Sequence, residues 1–315
     1  MLIVRDPGQL PPLPKGSAVT IGNFDGVHRA HQELLRCVVE RARERGAVPA
    51  AVTFDPHPVR VLAPARAPAT LTTLAARASL IADQGIELLL VLPFTRELAH
   101  LSPVEFVDTI LIGRLRAAAV VVGPNFHFGY RQAGDTETLD ELSRTRGFSV
   151  AVLPEVKVRG RQVSSSCIRN LLSEGNVYAA GRLLGRPFSN SGPIVPGRAV
   201  GRRETVPTLN LEPSEEQTPR PAVYVTRARL GGANHAAVTN VGYRPTFGDL
   251  PLAIETFLLN FDGEVRETSM EVLYLHRLRD EIRFQNPAML KLQIQEDVRR
   301  ALKFFRLLGR FRGHQ

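Results

Sequence analysis

The first half of the chain alternates short apolar runs with amphipathic segments. "SAVTIG" ends at Gly22, and the following "HQELLRCVVERARERG" carries apolar residues at helical spacing and stops at Gly46. "AVPAAVTF", "IELLLVLPF", "AAAVVVG" and "FSVAVLPEV" predict further strands, with helices near 71–84 and 136–146. This alternation predicts an α/β domain with a parallel, Rossmann-like sheet, in which ligands bind at the carboxyl ends of the strands.

The pattern changes after a short helical stretch that ends near Gly185. "PFSNSGPIVPG" is rich in Pro, Gly and Ser, which is typical of a boundary between domains. Beyond it, "AVYVTRARL", "HAAVTNVG", "AIETFLLNF" and "TSMEVLYLHRL" are extended and β-branched, and "NPAMLKLQIQEDVRRALKFFRLL" is an amphipathic helix. We therefore expect two domains, 1–185 and 186–315, the second a small antiparallel β-barrel with a terminal α-helix.

The composition adds a basic charge balance to this picture. Of the 315 residues, 36 are Arg and 4 are Lys against 31 acidic residues, for a net charge of +9. The arginines are scattered, Trp is absent and aromatic residues make up 6%, so the pattern favours small phosphate-bearing ligands over nucleic acid. An equal alternative is that the arginine content reflects a genome composition biased toward Arg codons. The two cysteines lack the spacing of a zinc site or a disulfide framework. With no membrane-length apolar run and no signal-like N-terminus, we expect a cytoplasmic monomer or weak homo-oligomer without a membrane partner.

Candidate chemistry begins in "GNFDGVHRAHQ" at residues 22–32, directly after the first predicted strand. Gly22, Asn23 and Gly26 belong to a tight turn into a helix that is expected to begin near His31, and amides at such a helix start point at an anion. His28 and His31 lie one turn apart and can donate hydrogen bonds to one group of phosphates. The alternative is that the two histidines only cap the helix; zinc is disfavoured because no third ligand is nearby.

A second segment, "VSSSCIRNLL" at 163–172, has the same kind of chemistry. Ser164 and Ser165 open an apolar helix and Arg169 follows one turn later, so hydroxyls, free amides and a guanidinium can surround a phosphate. A serine run by itself is usually only a helix cap. Together with the histidine pair, however, this segment resembles the two signatures of the nucleotidylyltransferase superfamily.

Two further stretches, "TFDPHP" at 53–58 and "VGPNFHFGYRQAGD" at 122–135, end predicted strands. Taken with "GNFDGVHRAHQ", they resemble the adenylyltransferase module of bacterial bifunctional riboflavin kinase/FMN adenylyltransferases, also called FAD synthetases. Phe126 and Phe128 are expected in the core, and His57 is either close to the flavin or an ordinary loop histidine. The resemblance implies flavin contacts from Phe54, Pro56, His57, Pro58 and Asn125.

The resemblance continues in the second half of the chain. The segments "VPTLNL" at 206–211, "NVGYRPTFG" at 240–248, "IETFLLNF" at 254–261 and "LRDEIRF" at 278–284 look like the riboflavin kinase module. By this resemblance Thr208 and Asn210 bind Mg²⁺ and ATP, and Glu255 is the general base for the riboflavin hydroxyl. Arg279 is then a nucleotide-site or flavin-site residue, with a surface salt bridge as the alternative.

The ordered set of motifs implies two enzymes in one chain, which convert riboflavin to FMN and FMN to FAD with ATP and Mg²⁺. Two departures from the family pattern bear on activity. Ala30 stands where the family has Gly between the histidines, and we expect adenylylation to survive this change, because Ala is the better helix former if residue 30 is helical. "GRAVGRRETVPTLN" lacks the usual Gly-Phe before Pro-Thr, so loop 197–206 bears on kinase activity. The alternatives are an adenylyltransferase with a degenerate kinase domain, and a flavin-sensing or RNA-binding regulator.

Overall fold

The computed structural model describes residues 1–195, 208–212, 216–243, 252–282, 284 and 286–312. The chain forms two compact units, Met1–Ser165 and Ser166–Gln315. The expected domain boundary after residue 185 stays a prediction. Loop 197–206 and residues 244–248 of the "NVGYRPTFG" segment lie outside the described residues.

The first unit contains a six-stranded, all-parallel sheet, as predicted. In space the strands run in the order β1-β4-β3-β2-β5-β6. From β2 the chain adds β3 and β4 on one side, and it then adds β5 and β6 on the other side of β2. The position between β2 and β5 is therefore the switch point of the sheet, where doubly wound sheets bind ligands. The strand bounds are β1 Leu2–Val4, β2 Ser17–Ile21, β3 Val48–Asp55, β4 Leu88–Pro93, β5 Ala117–Val122 and β6 Ser149–Val152.

Helices join the strands and cover both faces of the sheet. Helix α5 begins with the capping box of Ser102 and Glu105 and continues into a π-helical stretch, Val107–Arg114, which the sequence did not indicate. Short 3-10 turns span Pro7–Gln9, Pro64–Arg66 and Tyr130–Gln132, and a small hairpin is formed by β7 Lys157–Val158 and β8 Arg161–Gln162. The helices of this unit are α1 Arg29–Arg45, α2 Pro58–Leu62, α3 Leu74–Ala82, α4 Arg96–Ala99, α5 Pro103–Phe106 and α6 Thr136–Arg146. Along the chain they are followed by α7 Ser165–Ser173 and α8 Val177–Leu184.

The sheet separates two hydrophobic cores. In β4, Leu88 and Leu90 face one core while Leu89 and Val91 face the other, because successive side chains of a strand point to opposite faces. A strand buried on both faces reads as a continuous apolar run, and this is why "IELLLVLPF" predicted a strand without alternation.

The second unit is a closed antiparallel barrel in the order β10-β13-β12-β11-β14-β9. Its interior contains a ladder of three fully buried hydroxyls, in which Thr239 Oγ1 lies 2.7 Å from Thr226 Oγ1 and 3.0 Å from Thr256 Oγ1. The three hydroxyls satisfy one another inside the barrel. The strands are β9 Phe188–Val195, β10 Leu209–Leu211, β11 Ala222–Leu230, β12 Ala233–Tyr243, β13 Leu252–Leu258 and β14 Ser269–Asp280.

Most of "PFSNSGPIVPG", whose composition is typical of a boundary segment, forms a strand that its sequence pattern did not indicate. Residues Phe188–Val195 are strand β9, which pairs with β14 and closes the barrel against β10. Phe188 and Asn190 are buried inside the barrel, so burial and ladder hydrogen bonds override the local turn composition.

The chain ends in the long helix α9, Pro287–Arg312. Val298 and Leu302 of α9 pack against Val223 and Val225 of the barrel, in agreement with the predicted amphipathic helix. Among the residues that the structure describes, no helix has the length and apolar character needed to cross a membrane.

Candidate active sites

The turn between β2 and α1 is conformationally strained. Phe24, Gly26 and Val27 have φ values of 47°, 81° and 38°, in the left-handed region. Only glycine adopts this region without cost, and a β-branched residue such as Val27 is a genuine outlier there. Phe24 and Val27 are buried, so packing of the two side chains holds the strained backbone in place. Strain of this kind concentrates at functional sites.

The turn delivers the two histidines to the start of α1. His28 is the N-cap, and its Nδ1 accepts a hydrogen bond of 3.4 Å from the His31 backbone N–H. The two imidazole rings stack with their centroids 3.6 Å apart. Because Nδ1 of His28 is an acceptor, the neutral ring carries its proton on Nε2 and can donate from there. His28 therefore caps helix α1, which was the alternative role expected for the two histidines. The cap uses only Nδ1, so Nε2 of His28 can still donate a hydrogen bond to a phosphate.

His31 is arranged to remain neutral. Burial, followed by the charges of His28 and Arg77, holds its pKa well below the ordinary value. Its Nδ1 is buried and has no hydrogen-bond partner among the described residues. An imidazole with an unpaired buried nitrogen is unfavourable in isolation, and a ligand group would relieve that cost.

Asp25 ties this turn to two other segments, and the sequence analysis did not single it out. Its carboxylate, 2% exposed, accepts backbone hydrogen bonds of 2.8 Å from Leu71 and 3.2 Å from Thr72. The Thr72 hydroxyl in turn accepts from the Gly26 backbone N–H at 3.1 Å. Asp25 is thus an anchor for the loop before α3.

The serine helix start contacts the same turn. Ser165 Oγ donates a 2.9 Å hydrogen bond to the Asp25 carbonyl oxygen. Helix α7 begins at Ser165 and buries Ile168, Leu171 and Leu172. Ser164 and Arg169 are half-buried at the start and in the first turns of this helix, and their contacts with phosphate stay a prediction.

The "TFDPHP" segment lies at the end of β3, next to the turn. Thr53 Oγ1 donates a 3.3 Å hydrogen bond to the Asn23 carbonyl oxygen, and Gly22 N–H pairs with Val52 of β3. Asn23 Oδ1 is buried without a partner among the described residues. Two of the predicted motifs therefore meet at the carboxyl edge of the sheet.

The candidate flavin residues have mixed environments. Phe54 is half-buried, with its ring edge-on to Phe94 at 5.5 Å, and Pro56 is exposed. His57 caps α2 by accepting from the Val59 N–H, and Pro58 is the first residue of that helix. The cap gives His57 an ordinary loop role, so a flavin contact stays a prediction for it.

The segment after β5 lies at the other side of the switch point. Asn125 is exposed, with its amide 3.5 Å from Glu155 Oε1. Phe128 belongs to the core and Phe126 stacks on it at 5.4 Å, which confirms the prediction for both. In the described residues no cluster of three His, Cys, Asp or Glu side chains that could hold a metal ion occurs.

The candidate kinase residues come together through strand register. Glu255 of β13 pairs with Asn210 of β10 on one side and with Asn240 of β12 on the other. Its chain neighbours Ile254 and Thr256 are buried inside the barrel, so Glu255 points to the outer face. Paired residues have Cβ atoms about 5 Å apart, and the three side chains form a row across the barrel wall. Asn240 was not among the predicted site residues.

The oxygen donors beside Glu255 fit a magnesium ion. The Asn210 side chain is 2% exposed, and Thr208 is exposed immediately before β10. Amide, hydroxyl and carboxylate oxygens are the hard ligands that Mg²⁺ prefers.

Arg279 has a buried partner. Its Nη2 lies 2.7 Å from Asp297 of α9, its Nε contacts both oxygens of the same carboxylate, and Nη1 donates to the Asp280 carbonyl. Gln293 also donates to Asp297 at 3.0 Å. These contacts connect β14 to α9, and a substrate contact from Arg279 stays a prediction.

Comparison with known proteins gives matches to both halves of the chain. Residues 10–167 match the family model described as FAD synthetase, and residues 184–305 match the model described as riboflavin kinase. A bifunctional riboflavin kinase/FMN adenylyltransferase from Pseudomonas fluorescens is 38% identical, covering 95% of this chain and 96% of that protein. The protein of the same name from Escherichia coli K12 is 33% identical, covering 98% and 99% respectively. A solved structure titled as a macrolide-efflux protein from Streptococcus pneumoniae superposes with a TM-score of 0.85 at 29% identity, covering 94% of this chain and 96% of that one.

Proposed function

The chain belongs to the family of bifunctional riboflavin kinase/FMN adenylyltransferases, and from that premise we propose which residues carry each reaction. The protein makes FAD from riboflavin in two steps: phosphorylation of riboflavin to FMN, and adenylylation of FMN to FAD. ATP is the donor in both steps. We assign the second step to residues 1–185 and the first to residues 186–315.

In adenylyl transfer, a phosphate oxygen of FMN attacks the α-phosphorus of ATP. The bond from that phosphorus to the bridging oxygen breaks, and pyrophosphate leaves. His28 and His31 donate hydrogen bonds to the phosphoryl oxygens as charge develops on them, and positioned donors lower the barrier in this way. Gly22, Asn23 and Gly26 shape the turn, and Ser164, Ser165 and Arg169 hold the departing phosphates.

FMN is oriented by the segments that follow β3 and β5. Phe54, Pro56 and Pro58 offer apolar surface to the isoalloxazine ring, His57 lies beside it, and Asn125 supplies a polar contact. The observation that carries the assignment of adenylyl transfer to this domain is the Ser165–Asp25 hydrogen bond. This bond joins the histidine turn and the serine helix start, the two segments proposed to hold the phosphates, at the switch point of the sheet.

In the kinase reaction, Glu255 takes the proton from the 5′-hydroxyl of riboflavin as its oxygen attacks the γ-phosphorus of ATP, and ADP leaves. Thr208 and Asn210 would hold Mg²⁺, which neutralises phosphate charge when bound. Arg279 would contact substrate from the end of β14. The pairing of Asn210 and Glu255 on neighbouring strands supports this assignment, because it puts the base beside the metal ligands.

We further propose a cytoplasmic protein that acts on small molecules and not on nucleic acid, as a monomer or weak homo-oligomer. Many arginines are paired with carboxylates, as in Arg144–Asp140 at 2.6 Å and Arg146–Asp108 at 2.9 Å, and this reduces the positive surface available to a polyanion. Tight, salt-sensitive RNA binding would contradict the proposal.

The direct test is incubation of the purified chain with riboflavin, ATP and Mg²⁺, with the flavins separated by chromatography over time. FMN should appear first and FAD later. Unchanged riboflavin together with conversion of added FMN to FAD would mean that loop 197–206 has cost the chain its kinase activity. Omission of Mg²⁺ should stop FMN formation.

A further inference from the structure

Arg77 of α3 is a buried cation that the proposed mechanism does not use. The residue is only 4% exposed. Removing a guanidinium from water is strongly unfavourable unless carboxylates or hydrogen bonds compensate the buried charge. A buried arginine in a short helix beside a candidate site therefore calls for a physical reason.

The compensating groups belong to two different motifs. Asp25 comes from the "GNFDGVH" turn, and Asp55 and Thr53 come from the "TFDPHP" segment. Burial lowers the pKa of Arg77, and the Asp25 and Asp55 carboxylates oppose part of that shift. Nη1 of Arg77 lies 3.5 Å from Thr53 Oγ1, at the long limit of a hydrogen bond. The guanidinium thus interacts with both motifs, mainly through its charge.

The same charge acts on His31. Among the described residues, the charged and titratable groups that act on this ring are His28, stacked on it, and Arg77 from α3, and both lower its pKa in addition to burial. Two stacked imidazoles 3.6 Å apart repel each other if both are cationic. A positive charge beside the pair therefore favours a neutral His31. Nε of Arg77 is buried with no partner among the described residues and so retains one donor.

We propose that Arg77 is a positioning residue for adenylyl transfer, whose positive charge holds the "GNFDGVH" and "TFDPHP" segments together and acts on the His31 ring. The inference rests on the proposed assignment of His28 and His31 to the adenylyl site. Because the one directional contact is long and the other interactions are electrostatic, the charge matters more than the fork geometry of the guanidinium.

The test compares Arg77→Met, Arg77→Gln and Arg77→Lys with Arg43→Met, which removes an exposed arginine from α1 of the same unit. FAD formation from FMN is measured between pH 6 and 9. Arg77→Met and Arg77→Gln should lower the rate about 100-fold, the effect expected when reacting groups are misplaced by about 1 Å. Arg77→Lys should keep most of the rate, and Arg43→Met all of it. FMN formation from riboflavin is an internal control that no variant should change.

The pH profile separates positioning from a merely structural role. Without the charge of Arg77, the pKa of His31 rises toward its ordinary value, so the loss in Arg77→Met should be greatest at the acidic end of the range. Arg77→Lys should keep the wild-type profile. If Arg77→Met does not fold, Arg77→Gln decides the case, because it removes the charge and keeps a polar side chain in the buried site.

Two outcomes would overturn the inference. One is a neutral variant as fast as Arg43→Met at every pH; the other is a uniform loss that Arg77→Lys shares, with an unchanged pH profile. Failure of the underlying site assignment looks different, since His31→Asn would then also leave FAD synthesis intact. If His31→Asn forms FAD slowly while all Arg77 variants form it at the normal rate, the role of Arg77 is rejected and the assignment of His31 to the adenylyl site stands.

Discussion

The proposed adenylyl site and the proposed kinase site are assembled from different kinds of structure. The adenylyl site takes its groups from turns that follow parallel strands, where the backbone is strained at Phe24 and Val27 and Nδ1 of the half-buried His31 has no access to solvent. The kinase site takes its groups from neighbouring antiparallel strands, where Asn210, Glu255 and Asn240 form a row on the outer face of the barrel. The adenylyl site depends on contacts that anchor loops, and the kinase site depends on strand register. A substitution in one site should therefore leave the reaction of the other site unchanged.

The largest expected effect is on the kinase side. Glu255→Gln removes the proton acceptor for the riboflavin hydroxyl, and we expect FMN formation to fall about 10²–10⁴-fold. Conversion of added FMN to FAD should not change. Glu264→Gln, at an exposed carboxylate of the same unit, is the matched control. Chromatographic rates for both reactions decide the matter, and loss of both activities in Glu255→Gln would break the contrast between two independent sites.

The corresponding change on the adenylyl side is His31→Asn. Loss of one donor to the phosphoryl oxygens should lower FAD formation about 10²–10³-fold and leave the kinase intact, so that FMN accumulates. His100→Asn, at an exposed histidine in the same unit, is the control.

The pH dependence of the wild-type protein and of His31→Asn also tests the protonation state of His31. Because burial, His28 and Arg77 hold the pKa of His31 below its ordinary value, His31 stays neutral as the pH falls through 6.5. We therefore expect no step in the wild-type rate of FAD formation near that pH. A step that His31→Asn abolishes would contradict the description of His31 as a neutral donor.

A third substitution tests whether Arg279 binds substrate in the kinase site or stabilises the packing of α9 on the barrel. Asp297→Asn leaves the Arg279 guanidinium, 15% exposed, without its carboxylate, and breaking a buried pair costs about 3–5 kcal/mol of unfolding free energy. Urea unfolding measures this loss, with Asp262→Asn at an exposed site as the control. A normal stability with a raised KM for riboflavin or ATP would instead assign Arg279 to substrate.

The contrast between the sites also explains which features were predictable from sequence. The parallel strands, α1 and α9 follow from periodic apolar patterns, and the motifs after β2 and β3 meet because parallel strands share a carboxyl edge. Asp25 and Arg77 were missed because their partners lie on segments distant in sequence, and nothing in the local pattern marks them as buried. Asn240 was missed for another reason: its place beside Glu255 depends on strand register, which a linear motif does not specify. Strand β9 was missed because its Pro, Gly and Ser content is typical of a turn.

The smallest expected effect concerns Ala30, the departure from the family pattern inside the histidine motif. The structure places residue 30 in the first turn of α1, which is the condition under which Ala was expected to be tolerated. Ala30→Gly should therefore cost stability, by up to about 1 kcal/mol, because glycine loses more backbone entropy in a helix. FAD formation should change little, since His28 and His31 keep their backbone positions. A thermal melt and the rate of FMN conversion measure the two effects separately. A large gain in rate for Ala30→Gly would contradict this expectation. It would mean that the methyl group of Ala30 obstructs the approach of phosphate to the start of α1, even though alanine suits the helix.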